Sequence, residues 1–302
     1  MDFGKLIDIS EVDFSLPPTH FVTRETLQGR SRVTNPQVSV GCPVWVNPKW
    51  EGNVYPIGTP ANKYLHYYAE QFPTIELNST HYSVPAEMTL YKWTQMVPQG
   101  FTFCPKIPQE ISHHQKLHHS EAATARFVKA IKRFGEHLGT TFLQLPPWFG
   151  PQDAPTLLRY LTEFPKSIPL AVEFRHYDWF KEDSRVTATF REMQELGIGT
   201  VITDVAGRRD VLHQCLTTPV LTLRFVGNGL HPTDYSRTDA WIRQIAQWLE
   251  QGLERAFLFI HEPDNTDSPE LARYWIKELN KQCGLKLTVP TLRVEGIQRS
   301  LF

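Results

Sequence analysis

The chain has 302 residues, 41% of them hydrophobic and 21% charged, with a formal net charge of −1. That is the make-up of a globular protein with enough apolar material for a sizeable core, and a balance this close to zero gives no global field toward nucleic acid or anionic membrane. The four cysteines (Cys42, Cys104, Cys215, Cys283) are widely spaced with no C-x-x-C, which argues against a zinc ribbon or disulfide framework and for a reducing cytoplasm.

The N-terminus lacks a basic-then-apolar leader, and no apolar run approaches the ~18 residues of a membrane span. Residues 1–36 are polar, carry Pro17-Pro18 and Asn35-Pro36, and show no sustained helical period. They read as an irregular extension with a short strand at Leu6–Ile9, packed on the outside of the body or lying over its functional face.

Residues 37–302 read as one domain. Strands are expected at Gln37–Gly41, Thr74–Asn78, Phe101–Ile107, Thr141–Leu145, Pro169–Arg175, Thr200–Asp204, Val220–Val226 and Ala256–Glu262. Helical spacing of apolar residues fills the gaps at Asn62–Gln71, Met88–Met96, Glu121–Leu138, Ala154–Phe164, Val186–Leu196, Asp239–Gln251 and Pro269–Cys283. Only the connection between the sixth and seventh strands is short, with one brief helix in Val205–Cys215. Strand-helix alternation predicts an α/β fold with a parallel sheet. Eight repeats favour a closed (β/α)8 TIM-type barrel, and no G-x-G-x-x-G follows any strand to support a dinucleotide-binding open sheet.

In a strand, residues two apart share a face. Glu76 with Asn78, Glu173 with Arg175, and Thr222 with Arg224 would therefore point inward, while Ile75, Leu77, Val172, Phe174, Leu223 and Phe225 face the helices. The strand ends then collect Glu76, Asn78, Lys106, Gln144, Glu173, Arg175, Asp204 and Arg224, joined by His261 or Glu262 according to register. Charges inside a barrel must be paired or wet, and ion pairs there add little stability over apolar packing. The cluster is therefore expected to serve a site at the C-terminal mouth.

Arg175, Arg224 and Lys106 suit an anion. Glu76, Glu173, Asp204 and His113 are the candidate acids and bases, and Asn78, Gln144 and Trp45 are candidate substrate contacts. His113, His114, His118 and His119 cluster after the third strand, with His114 and His118 at i,i+4 spacing. Gly227-Asn228-Gly229 offers backbone N–H groups after the seventh strand. Trp148 and Tyr177 add aromatic surface near the mouth.

G-C-P-V-W at Gly41–Trp45, F-P-T-I-E-L-N-S-T-H-Y at Phe72–Tyr82, F-L-Q-L-P-P at Phe142–Pro147, A-V-E-F-R-H-Y-D-W-F at Ala171–Phe180 and T-L-R-F-V-G at Thr222–Gly227 resemble the YecE-like proteins, domain of unknown function 72. The resemblance implies a TIM-type barrel over about residues 38–280. It marks Glu76, Asn78, Lys106, His113, Gln144, Glu173, Arg175, His176, Asp204 and Arg224 as site positions, and brings with it a suggested nucleic-acid-binding role. The chain departs from it where F-I-H-E (Phe259–Glu262) stands in place of Y-F-N-N, and in the length of its first 37 residues.

The leading expectation is an enzyme acting on a small anionic or phosphorylated substrate, a sugar phosphate or nucleotide fragment, by general acid/base chemistry. The alternative is a non-catalytic nucleic-acid or polyanion binder. No cofactor is called for. A divalent metal held by Glu76, Glu173, Asp204 and His261 or Glu262 is the third reading.

Overall fold

The structure is a computed structural model that describes residues 4–181 and 183–292. Residues 1–3 and 293–302, the outer ends of the expected extension and barrel, lie outside the described residues.

The described residues carry eight strands: β1 (Gln37–Gly41), β2 (Thr74–Leu77), β3 (Thr102–Pro105), β4 (Thr141–Gln144), β5 (Leu170–Glu173), β6 (Gly199–Asp204), β7 (Val220–Val226) and β8 (Arg255–His261). Every pairing among them is parallel. Six strands form one sheet in the order β1-β8-β7-β6-β5-β4, and β2 and β3 pair separately. Parallel neighbours need a crossover between them, and the helices supply it. They are α2 (Tyr64–Gln71), α3 (Ser79–Tyr82), α4 (Glu87–Thr94), α5 (Glu121–Ile131), α6 (Ala154–Glu163), α7 (Ser184–Glu195), α8 (Pro232–Glu250) and α9 (Ser268–Cys283), preceded by α1 (Phe21–Leu27).

The two sheets meet at two joins. Between β1 and β2 the Tyr68 hydroxyl sits in the ladder. It accepts from Cys42 N and donates to Thr74 O, both at 2.8 Å. A single parallel bridge, Cys42 to Ile75, follows it. Gly41 belongs here because a Cβ would lie 2.1 Å from Thr74 O. Between β3 and β4 the link is a bridge from Lys106 to Phe142, with Ile107 N donating to Phe142 O at 2.9 Å.

Apolar residues alternate as expected. Ile75, Leu77, Val172, Phe174, Leu223 and Phe225 are buried in the main core with the helices, and Phe225 meets Trp275 of α9 edge-on. A separate set of buried side chains, Phe257 and Phe259 with Cys104, and Phe142 with Ala171 and Val201, belongs to the opposite strand face. All four cysteines are free and buried. No helix among the described residues is long and apolar enough to cross a membrane.

The extension differs from its expectation. No strand forms at Leu6–Ile9. Instead α1 docks in the slot left by the short β6–β7 connection, whose one helical turn is a 3-10 segment at Ala206–Val211. Thr23 Oγ1 donates to Gln214 O at 2.7 Å and accepts from Leu216 N at 2.7 Å, and Thr26 Oγ1 donates to Leu216 O at 2.8 Å. Seven residues are too few for a helical period to show, and tertiary bonds hold the helix instead. Two other boundaries move. The segment expected at Glu121–Leu138 changes to a 3-10 turn after Ile131, where Gly135 adopts a φ of 54°. Helix α8 starts at Pro232, not Asp239, because Pro232 sits at N1 and Asp234 returns a capping bond to His231 N at 2.8 Å.

Candidate functional site

At the C-terminal ends of β2, β5, β7 and β8, five side chains form a chain of alternating character. Arg224 is its centre. Its Nε donates to Glu76 Oε2 and its Nη2 to Glu76 Oε1, each at 2.9 Å. Its Nη1 donates to Glu173 Oε2 at 3.0 Å. Beyond Glu173, Arg175 Nε donates to Glu173 Oε1 at 2.8 Å. Beyond Glu76, His261 Nε2 donates to Glu76 Oε2 at 3.0 Å. Arg224 also lies 5.7 Å from the Phe142 ring centroid, which closes the cluster from below. Thr203 Oγ1 adds a bond to Glu173 Oε1 at 3.1 Å, and Asn78 Nδ2 bonds Glu76 Oε1.

The strand pattern makes this convergence. Arg224 is level with Thr203 of β6, and Glu173 with Gln144 of β4, so period-2 alternation turns all of them to one side. Glu76, Glu173 and Arg224 are buried, while His261 is half-buried at the solvent end. Burial alone would push the Glu76 carboxyl up, but Arg224 and His261 outweigh it and hold Glu76 well below the usual range. Glu173 is likewise pushed up by burial and drawn down to about 2 by Arg175 and Arg224. Both carboxylates therefore stay ionised at neutral pH, which makes them poor proton carriers.

Lys106 follows β3 and is buried beside this chain, its Nζ donating to Gln144 Oε1 at 2.7 Å. Burial and the nearby Arg224 guanidinium bring its ammonium down to about 7. His113 is half-buried, with Nδ1 2.8 Å from Ser112 Oγ. Its ring stands 5.2 Å from that of His81, a residue the sequence did not single out. Burial and Lys106 lower both imidazoles to about 4. His81 Nδ1 donates to Ile107 O at 2.8 Å, which fixes its tautomer.

Three expected members lie elsewhere. Asp204 points away from the cluster: its carboxylate accepts from Arg237 Nη2 at 2.8 Å, from Trp241 Nε1 at 2.6 Å, and from Arg209. Its neighbour Thr203 takes the inward place. Phe14 of the extension stacks under both Arg209 and Arg237, and Arg209 also donates to Ser15 O at 3.0 Å. Asp204 thus anchors the arm to α8. Trp45 packs edge-on against Trp93 and Phe103. His176 stacks on Tyr177 and accepts from Asp178 N at 3.2 Å, capping a turn.

The strand-eight register is settled in favour of His261. Glu262 turns the other way and accepts from Gly229 N at 2.7 Å, so the Gly227–Gly229 loop cradles a carboxylate of this chain. A Cβ on Gly227 would lie 2.2 Å from Glu262 Oε1. With Asp204 and Glu262 apart, and Glu76 and Glu173 taken by Arg224, the four-residue metal set is not assembled. His114, His118 and His119 are exposed, and among the described residues no three His, Cys, Asp or Glu converge in a metal-holding group.

A family profile described as "Protein of unknown function DUF72" matches residues 39–293. The chain belongs to the DUF72 family. The UPF0759 protein YecE of Escherichia coli K12 is 28% identical over 262 residues, covering 81% of this chain and 93% of that protein. The UPF0759 protein YunF of Bacillus subtilis 168 is 28% identical over 135 residues, 42% of this chain and 48% of that one. A DUF72 crystal structure from Thermotoga maritima superposes with a TM-score of 0.63 at 23% identity, over 81% of this chain and 99% of that one. One from Enterococcus faecalis gives 0.60 at 17%, over 84% and 100%. At those identities the two DUF72 structures bear on fold alone.

Proposed function

We propose that the eight strands act as a (β/α)8 barrel whose strand-end mouth is the active site of an enzyme for a small anionic or phosphorylated substrate, a sugar phosphate or nucleotide fragment. The observation that carries this reading is the alternating chain His261–Glu76–Arg224–Glu173–Arg175. Replacing a buried ion network with apolar side chains is often neutral or stabilising, so a network kept at one end of the strands supports a positioning role. Glu76 orients His261, whose other ring nitrogen takes and returns the proton. Glu173 orients Arg175 toward the anion. The buried Oδ1 of Asn78, which has no hydrogen-bond partner among the described residues, would accept from a substrate hydroxyl. Arg224 loses the anion-holding role expected of it, because its fork is spent on the two carboxylates.

The test is a turnover screen over phosphorylated sugars and nucleotides, repeated with His261→Asn. General acid–base catalysis by one group is worth about 10²–10⁴-fold, so the variant is expected to lose at least about 100-fold in kcat at unchanged melting temperature. Full activity in the variant overturns the assignment.

A second reading, polyanion binding without catalysis, has its own observation. Trp148 and Tyr177 are exposed after β4 and β5, with Lys116 and Lys181 at 4.9 and 4.3 Å from their ring centroids. Oligonucleotide binding that falls steeply with added salt would favour it. The absence of binding at low ionic strength would dismiss it.

A further inference from the structure

Lys106 is set apart from the other cations at the mouth by what it lacks. Two buried carboxylates stand in the same cluster, yet both are taken. Glu76 is shared by Arg224 and His261, and Glu173 by Arg224 and Arg175. Among the described residues Lys106 makes no ion pair. Its hydrogen bond goes to the neutral amide oxygen of Gln144, and its Nζ lies 6.0 Å from the centroid of the Phe142 ring. Burial and the guanidinium groups of Arg224 and Arg175 form an environment that disfavours an ammonium ion, and the ring contact at 6.0 Å is too long to offset them. An amine placed against other cations in a desolvated pocket is a recognised means of activating a lysine nucleophile.

We propose that Lys106 is a covalent nucleophile that captures the carbonyl carbon of a small anionic aldehyde or ketone, a 2-oxo acid or a carbonyl-bearing phosphate, as an imine. The proposal rests on the mouth being an active site and names its substrate class. The Nζ lone pair attacks the carbonyl carbon, the C=O π pair moves to oxygen, and one proton passes from nitrogen to that oxygen to give a carbinolamine. The C–O bond then breaks, the hydroxyl leaves as water on taking one proton from solvent, and a protonated C=N bond to Nζ remains. No oxidant or reductant enters. The step needs the free amine, which burial and Arg224 make available near neutral pH by lowering the ammonium to about 7. The adduct carries an anionic group beside a cationic one, Arg175, which suits an acidic carbonyl compound over a neutral one.

The experiment uses the full chain with glyoxylate and with pyruvate as probes, each followed by sodium borohydride and peptide mass mapping. The expected result is one reduced adduct per chain on Lys106, at pH 7 at least about tenfold above any exposed lysine such as Lys116 or Lys181, with labelling half-maximal near neutrality and not near the ordinary lysine range of about 10.4. Gln144→Glu places a carboxylate on Nζ and is expected to cut labelling at pH 7 by about tenfold while moving its midpoint alkaline. Labelling spread evenly over exposed lysines, or no adduct on Lys106 with either probe, overturns the proposal. If Lys106 stays unlabelled while His261→Asn abolishes turnover of a phosphorylated substrate, the imine falls and the active-site reading stands. If Lys106 is labelled and His261→Asn keeps full turnover, the imine stands and the role of His261 falls.

Discussion

Arg224 meets Glu76 edge to edge, Nε to Oε2 and Nη2 to Oε1, in two parallel bonds of 2.9 Å. This bidentate pairing joins strands that are 148 residues apart in sequence, and the remaining nitrogen of the fork reaches Glu173. One guanidinium therefore neutralises half of the charge that Glu76 of β2 and Glu173 of β5 bring inside, in the geometry Arg suits best. Removing it leaves Glu76 with only His261 and Glu173 with only Arg175 as ion-pair partners. Arg224→Met is expected to destabilise the fold by about 3–5 kcal/mol, the usual result of breaking a buried pair on one side. Adding Glu76→Gln to it should return part of that loss, because one uncompensated charge is removed. Denaturant unfolding of the single and double variants measures both.

The same pairing sets the acid response. The Glu173 carboxyl lies near 2 in the folded protein, and Glu76 is also well below its usual value. Between the ordinary carboxylate range and that lower value the unfolded chain binds more protons than the folded one. The stabilisation is therefore complete above about pH 4.5 and is lost as pH falls toward about 2. Unfolding free energy measured across that window should drop steadily with acid. A flat profile would show that the two carboxylates are not held as described.

Glu262 behaves in the opposite sense. Burial raises its carboxyl to about 7, against the pull of the Gly229 and Leu230 N–H groups and with Asp234 and Asp267 adding repulsion. The folded state then binds the extra proton between about pH 4.5 and 7, so this residue costs stability progressively as pH rises through that window. Glu262→Gln removes the ionisation and keeps an acceptor for the Gly229 N–H at 2.7 Å, giving up only the long bond from Leu230 N at 3.4 Å. It is expected to stabilise the protein by about 1–3 kcal/mol at pH 8 and by nearly nothing at pH 4.5. Thermal melts at the two pH values decide it.

How far the sequence could be read follows from how clearly each strand alternates. In β7 the run Val220–Val226 has Leu, Leu and Phe on one parity and Thr and Arg on the other, so the inward place of Arg224 was legible, as were those of Glu76 and Glu173. Strand β6 gives no such signal: in Gly199–Asp204 each parity holds one apolar residue, Val201 or Ile202, and ends on a polar one, Thr203 or Asp204. Parity could not choose between Thr203 and Asp204, and the charged residue was assigned inward when it is the outward one. The available clue lay in α8, where Arg237 and Trp241 sit four apart on a face that is otherwise core and need a buried acceptor. His261 stood as one of two registers for a related reason, since His261 and Glu262 are adjacent and both polar. His81 and the docking of α1 depend on contacts with residues far along the chain, which no local pattern reports.

The arm supplies the last prediction. In the described structure α1 fills a position that the β6–β7 connection leaves open, with Val22 fully buried and Leu27 nearly so. Its threonines complete the backbone hydrogen bonds of Gln214 and Leu216, and its Glu25 pairs with Arg191 of α7 at 2.8 Å. Deleting residues 1–31 would expose the apolar surface under α1 and leave those backbone groups to water. The expected outcome is a protein that binds a hydrophobic dye and melts about 5 °C lower, the shift that a loss of some 3 kcal/mol produces in a chain of this size. A milder probe keeps the arm and changes one atom group. Thr23→Val removes the hydroxyl that both donates to Gln214 O and accepts from Leu216 N, and should cost about 1–3 kcal/mol through the buried groups left unpaired. If the deletion melts like the full chain, the arm is not part of the folded body, whatever its bonds.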